Sequence, residues 1–420
     1  MKIIATSDWH VGNLFHGNDR LPEHQHFLKW LLDNIGEQQP DALLIAGDIF
    51  DNGNPSAAAQ SAYYEFLAEA TEKCPQMQIV ITAGNHDSAS RLEAPRALLS
   101  RHKVEVRGNV HRTWKNNADG GNWVMDYEDL MIPVAGRDGV TVVILAVPYL
   151  KNDVVQNTSY SQGVNDFLRA LTAKAREKYP DTKLVMMAHM YAKGADIAAR
   201  DASEKIVIGG QEEVNMEGWK DHPDYLTCGH IHKRQHIWNT DWARYTGSIL
   251  PMSFAEVDYK HGVDVITIDE KAKTPAVRFL EYIPQHRLRI LPEGDEELTP
   301  KQVLKLVNDE LQDRKEDGLD DDFVYLLLKV KFDKVNKENN DAIKELEKCV
   351  ETKNAVLCRI QKTVQALDLT TVSGTRKISS IDDILNRDPL DTLKEAFAIS
   401  NKEMNERQEQ MLKEILAAIK

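Results

Sequence analysis

The sequence predicts an α/β protein. Short apolar runs alternate with amphipathic stretches along most of the chain, the runs are rich in Ile, Val and Leu, and several of them stop abruptly at glycine or at metal-binding side chains.

The runs read as strands: KIIATS, DALLIAG, MQIVITAG, VTVVILAV, KLVMMA and DYLTCG. Between them, PEHQHFLKWLLDNIGEQ, SAAAQSAYYEFLAEATEK and GVNDFLRALTAKAREKY space their apolar residues by three and four, as helices with one buried stripe do. Ser56 is placed to cap the second helix. After Gly229 the pattern becomes QHIW, ARYTG and VDVITI joined by turns, which predicts antiparallel strands completing a second sheet. Residues 1–283 therefore read as one domain. The Pro- and acid-rich LPEGDEELTP marks a boundary region. Beyond it KQVLKLVNDELQDR, FVYLLLKVKF, NDAIKELEKCV and AVLCRIQ read as helix, strand, helix and strand, a small α/β domain over 284–362. Residues 363–420 read as a polar linker and two amphipathic helices. Leu390, Leu393 and Phe397 share a face of the first, and Met404, Met411, Ile415 and Leu416 a face of the second.

Composition narrows the class. A chain of 420 residues suggests two or three domains, and with 42% hydrophobic and 28% charged residues it is that of a soluble globular protein. Neither a membrane-length apolar run nor a secretory leader is present, so the cytoplasm is the expected location. Cys74, Cys228, Cys349 and Cys358 are scattered without a C-x-x-C pair, which argues against a disulfide framework or a thiolate zinc cluster. A net charge of -14 argues against non-specific coating of nucleic acid. A nucleic-acid substrate stays open, because a metal centre or a basic partner can supply positive charge locally.

Five runs end in groups that bind metals. KIIATSDWH delivers Asp8 and His10, DALLIAGDIFD delivers Asp48 and Asp51, QIVITAGNHD delivers Asn85 and His86, KLVMMAH delivers His189, and DYLTCGHIH delivers His230 and His232. In an open α/β sheet these ends line one crevice, so a single site is the economical reading. Asp8, His10, Asp48, Asn85, His189, His230 and His232 are too many donors for one ion with an open position, and suit two. One carboxylate has to bridge the ions, and Asp48, after a glycine at a strand end, is best placed. Histidines bind as neutral rings and Asn85 is a neutral amide, so Asp8 and Asp48 leave two divalent ions with surplus positive charge for an anionic phosphodiester. The mixed donors admit manganese, iron or zinc over calcium or magnesium. His86, adjacent to Asn85, reads as a group reaching the substrate to stabilise or protonate the leaving oxygen.

Each fragment alone is a weak signal, since a histidine at a strand end is more often structural than a ligand. Asp87 reads as a helix N-cap and stays outside the site. Asp51 either caps the turn before NPSAAAQ or orients His86 through its carboxylate. Lys233, Arg234 and the loop YAKGADIAARDASEK carry basic groups that either contact DNA backbone or are simply solvated.

D-x-H, G-D-x-x-D, G-N-H-D, a lone H and G-H-x-H, in that order, resemble the calcineurin-like metallophosphoesterase superfamily. SDWHVGN, AGDIFDNGNPS, AGNHDS, TCGHIH and YTGSILPMSF further resemble its bacterial DNA-nuclease branch. The resemblance implies a four-layer α/β/β/α sandwich, a small α/β capping domain facing DNA, and a C-terminal helix pair that docks on a coiled-coil ATPase. It implies two manganese ions, one on Asp8, His10, Asp48 and His232, the other on Asp48, Asn85, His189 and His230. It further implies His86 facing the scissile phosphate, Asp51 paired with it, and an ATP-dependent double-strand exonuclease and single-strand or hairpin endonuclease that processes DNA ends in repair, replication and recombination. Relatives form a homodimer within a heterotetramer, and SAAAQSAYYEFLAEA and RLEAPRALLSRH are at matching places; on DNA the protein would associate with the nucleoid. The rivals are a superfamily phosphatase or cyclic-nucleotide phosphodiesterase, which would not need the later domains, and a binding scaffold without turnover, which should have lost ligands.

Overall fold

The computed structural model describes residues 1–116, 120–155, 159–196, 213–316, 318–332 and 338–364. The C-terminal helix pair and most of the basic loop at 191–205 lie outside the described residues.

Two six-stranded sheets stack face to face. The first runs Ala276–Tyr282, His261–Thr267, Lys2–Thr6, Ala42–Ala46, Gln78–Thr82, Val104–Arg107; its last four strands are parallel and its first two antiparallel. The second runs Gln235–His236, Ala243–Tyr245, Tyr225–Gly229, Lys183–His189, Thr141–Ala146, Met131–Ala135, parallel except at its two edges. The tail of the large domain therefore corrects the sequence expectation. Only Gln235–His236 and Ala243–Tyr245 extend the second sheet, while the VDVITI strand returns to pair with Lys2–Thr6 in the first.

Alternation along the strands explains the layers. Ile3, Ala5, Leu44 and Val80 point inward and meet Ile144, Val185 and Met187 of the second sheet, forming an apolar seam between the sheets. Ile4, Leu43, Ile45 and Ile79 point outward and are covered by the helices Leu21–Gln38 and Ala57–Lys73. Val143, Leu184 and Leu226 do the same beneath Tyr160–Lys178. The result is the α/β/β/α sandwich. Each Leu or Ile fully withdrawn from water contributes roughly 1.5–3 kcal/mol. The second helix begins as its sequence predicts, Ser56 Oγ accepting from the Ala59 amide, and Ser159 Oγ caps Tyr160–Lys178 in the same way by accepting from the Gln162 amide, each three residues on.

The third sheet is parallel, in the order Arg287–Leu291, Val324–Phe332, Ala355–Val364, with the helices Pro300–Glu310 and Glu338–Glu351 in the crossovers. Its first strand, RLRIL, was not expected from the sequence, because its arginines break the apolar run. The acid-rich stretch thus lies inside this unit, between that strand and the next helix. One face of the sheet packs on its own helices through Leu326, Leu328, Val303 and Leu346. The other carries Leu288, Tyr325 and Leu327 onto Phe15 and Phe254 of the large sandwich. Among the described residues no helix is long and apolar enough to cross a membrane.

Candidate metal centre

The polar groups sit where strands run out. Lys2–Thr6 leads to Asp8 and His10, Ala42–Ala46 to Asp48, and Gln78–Thr82 to Asn85 and His86; Lys183–His189 ends on His189 and Tyr225–Gly229 leads to His230 and His232. The first three strands belong to the first sheet and the last two to the second, so the centre spans both. Turning the chain this sharply puts Asp8, His10, Asp48 and His230 at φ of 51°, 48°, 49° and 98°. That left-handed backbone costs a non-glycine residue roughly 1–2 kcal/mol. The amides of Trp9 and His10 offset part of it by both donating to the Asp48 carbonyl, at 2.9 and 3.0 Å.

The donor atoms collect in two main groups. Asp8, His10 and His232 present ligand atoms within 4.8 Å of one another, and so do Asp48, His189 and His230. Asn85 joins the second group, with Oδ1 3.0 Å from both His189 Nε2 and His230 Nδ1. Asp48 lies between the groups, its Oδ2 3.3 Å from His189 Nε2 and 3.7 Å from His10 Nε2. All seven residues expected as ligands are brought together.

The direction of each N–H tests whether these groups suit a cation. His189 Nδ1–H donates to the Ala46 carbonyl at 3.0 Å, and His232 Nδ1–H to Glu256 Oε1 at 2.9 Å, so each neutral ring leaves Nε2 bare. His189 Nε2 then faces the oxygens of Asn85 and Asp48, while His10 Nε2 is buried without a hydrogen-bond partner. Lone pairs aimed at lone pairs in a buried volume need positive charge among them. The titration behaviour agrees. Burial pushes His230 down to about 3 and His10 well below its usual value. For His189 and His232 burial acts downward too, but Asp48 and Glu256 respectively outweigh it and hold both rings up at about 9. Burial raises Asp8, whereas His189 and His10 overcome burial at Asp48 and hold it far below the carboxylate range. Divalent cations would supply that charge without protons, and the donor set fits them.

His86 stands at the edge of the centre, its donor atom within 4.8 Å of those of His10 and Asp48. Its amide donates to Asp48 Oδ1 at 2.9 Å, and its Nδ1–H donates to the backbone carbonyl of Asp51 at 2.8 Å. The expectation that the Asp51 carboxylate orients His86 is thereby corrected. That carboxylate instead accepts from Asn13 Nδ2 at 2.8 Å and stands 3.7 Å from His10 Nδ1.

Asp87 is not an N-cap either, since Ser88 precedes the helix Ala89–Glu93. The Asp87 carboxylate is buried and accepts from the amides of Ile49, Phe50 and Gly84 at 3.1, 3.0 and 2.8 Å, tying the loop after Asp48 to the loop carrying Asn85. Burial, and then the nearby Asp48, push it up to about 6. Sequence reasoning also missed Glu256, the partner of His232. The only hint was an acid in an apolar turn, MSFAEV, close to G-H-x-H in space but not in sequence. Of the basic pair, Lys233 is ion-paired with Asp196, and Arg234 Nε donates to the buried Asp264 at 2.8 Å with the Phe279 ring 4.6 Å beneath its guanidinium. Arg234 is thus a structural residue.

Comparison with known proteins agrees with this geometry. The calcineurin-like phosphoesterase family matches residues 1–234. The SbcD component of nuclease SbcCD from Rhodobacter capsulatus is 34% identical over 299 residues, which cover 69% of this chain and 71% of that protein. The proteins of the same name from Escherichia coli K12 and Bacillus subtilis 168 are each 29% identical, over 281 and 277 residues, covering 64% and 63% of this chain and 65% and 66% of theirs. The matched region spans about two thirds of those two relatives' lengths.

Proposed function

Because this chain belongs to the calcineurin-like phosphoesterases, within the group that includes the SbcD component of nuclease SbcCD, we propose that it is a metal-dependent DNA phosphodiesterase acting with an SbcC-type coiled-coil ATPase on duplex ends and hairpins. The observation that carries the reading is the two donor groups at the junction of the two sheets, Asp8, His10 and His232 in one and Asp48, His189 and His230 in the other, with Asp48 Oδ2 3.7 Å from His10 Nε2 between them.

Asp8, His10, Asp48 and His232 would hold one ion, and Asp48, Asn85, His189 and His230 the other. Bound there, two manganese ions would supply charge to polarise the phosphodiester and activate the attacking water. The chain's own groups do the rest. Only two of the seven ligands are carboxylates, so two divalent ions would leave the centre electropositive, and the neutral Asn85 amide would preserve that surplus. His86 is oriented by the Asp51 carbonyl, which fixes a proton on Nδ1; with a second proton on Nε2, that Nε2–H would donate to the departing 3'-oxygen. The third sheet would act as the DNA-facing cap, residues 363–420 as the ATPase-docking segment, and the assembly as a dimer of this chain within a cytoplasmic heterotetramer.

The test is cleavage of end-labelled linear and hairpin-capped duplex DNA with manganese, by this chain alone and with the ATPase and ATP. Cutting that depends on partner and ATP supports the reading. Intact DNA together with hydrolysis of a phosphomonoester or cyclic nucleotide would retain the metal centre and overturn the substrate.

A further inference from the structure

One peptide unit joins the third sheet to a metal-binding histidine. The carbonyl of Pro251 accepts from Arg20 Nη1, and the amide on the other side of the same peptide bond, Met252 N–H, donates to Glu256 Oε2 at 2.9 Å. The second oxygen of Glu256 holds His232 Nδ1–H. On the far side, Arg20 is fully buried and forks onto Glu23, with Nε–Oε1 at 3.0 Å and Nη2–Oε2 at 2.9 Å. Glu23 Oε1 also accepts from the Tyr325 hydroxyl of the third sheet at 2.9 Å. The Tyr325 ring and Phe15 flank the Arg20 guanidinium at 5.7 and 5.2 Å.

An apolar contact runs beside this chain of bonds. Phe254, in the same turn as Met252 and Glu256, packs in one cluster with Phe15, Tyr325 and Leu327. Seating of the third sheet and the shape of the turn at 251–256 are therefore linked twice, once through polar groups and once through packing. Buried, hydrogen-bonded charged groups of this kind tolerate little displacement, because a lost partner leaves a desolvated charge.

We propose that Glu256 is a positioning residue for His232, and that Tyr325, Glu23 and Arg20 set the position of Glu256, so that seating of the third sheet fixes how His232 is presented to its ion. This rests on the metal-centre reading above. It gives the third sheet a role inside the catalytic centre, beyond any contact it makes with DNA.

The test is manganese binding by the full chain, with free ion measured by electron paramagnetic resonance, for the unmodified protein, Glu256→Gln, Tyr325→Phe and the double variant. Circular dichroism checks that each is folded. Glu256→Gln should weaken one of two bound ions roughly 10- to 100-fold, the usual effect of removing a carboxylate behind a ligating histidine. Tyr325→Phe, which touches no ligand, should weaken the same ion roughly 2- to 30-fold, and the double variant should lose less than the product of the two. Unmodified manganese affinity in Tyr325→Phe, or independent multiplication of the two effects, would overturn the inference while leaving the metal centre standing. Fewer than two ions bound by the unmodified chain would instead bring down the functional reading, and this inference with it.

Discussion

Gly84 offers a direct test of how tightly the centre is built. A methyl group added there would sit 2.1 Å from Asp48 Oδ1 and 2.3 Å from the Asp48 amide nitrogen. Ordinary contact begins at 3.4 Å, so relieving the closer clash takes about 1.3 Å of movement, from 2.1 to 3.4. Rotating the carboxylate would break its bond from the His86 amide, and rotation does nothing for the clash with the backbone nitrogen. Gly84 has no left-handed backbone to forbid alanine, and at such a position the substitution would on its own stabilise by about 0.4–1 kcal/mol. Overpacking of about 1–3 kcal/mol outweighs that gain. The functional cost is larger, since a misplacement of about 1 Å at a catalytic group can cost about 100-fold. Gly84→Ala is therefore expected to remain folded, to lose at least one ion by elemental analysis after dialysis against manganese, and to cleave labelled duplex at about one hundredth of the normal rate or less. Two retained ions with unreduced cleavage would refute the claim that Asp48 is held in place by the bare backbone at Gly84.

The other predictions address single groups. His86→Ala should lose about 10²- to 10⁴-fold in cleavage with metal content nearly unchanged, and a rate within threefold of normal would remove its role at the leaving oxygen. Asp51→Asn should stay within about tenfold, equivalent to ~1.4 kcal/mol, because His86 is held by the backbone carbonyl; a loss of several thousandfold would restore the carboxylate to that role. Glu23 gives a pH signature. Burial pushes it up, but the facing His286 and the paired Arg20 outweigh burial and hold it at about 2, below an ordinary 4.5. A depressed carboxylate stabilises the fold above about pH 4.5, and that contribution, about 3 kcal/mol at most, disappears as pH falls from 4.5 towards 2. Thermal melts across that window should show a shallower pH dependence for Glu23→Gln, and an unchanged slope would sink the assignment.

The convergence of the candidate ligands was legible in the sequence because strand ends in a parallel sheet converge whatever their separation along the chain, and side chains such as those of His189 and His230 carry their chemistry in their names. What stayed hidden is of a different kind. The group orienting His86 is a backbone carbonyl, which looks alike at every residue. Asp87 sits beside the site motif but spends its carboxylate on three amides brought near only by folding. Glu256 lies in a turn whose place next to His232 depends on the strands around it. The return of His261–Thr267 to the first sheet was equally invisible, because an alternating strand pattern states that a face is buried and not against which neighbour. Arg287–Leu291 shows the converse: its arginines hid a strand whose leucines are buried.

The centre takes Asp8, Asp48 and Asn85 from one sheet and His189, His230 and His232 from the end of the other. Ions held there would act as rivets through the two leaves of the sandwich, at the rim where the apolar seam ends. Metal occupancy and breathing of the two sheets would then become a single variable. Loading manganese should slow hydrogen exchange in inner-face strands of both sheets, including amides far from any ligand, and a chelator should loosen both leaves at once. In that respect the ion would be as much a mechanical part of this enzyme as a chemical one.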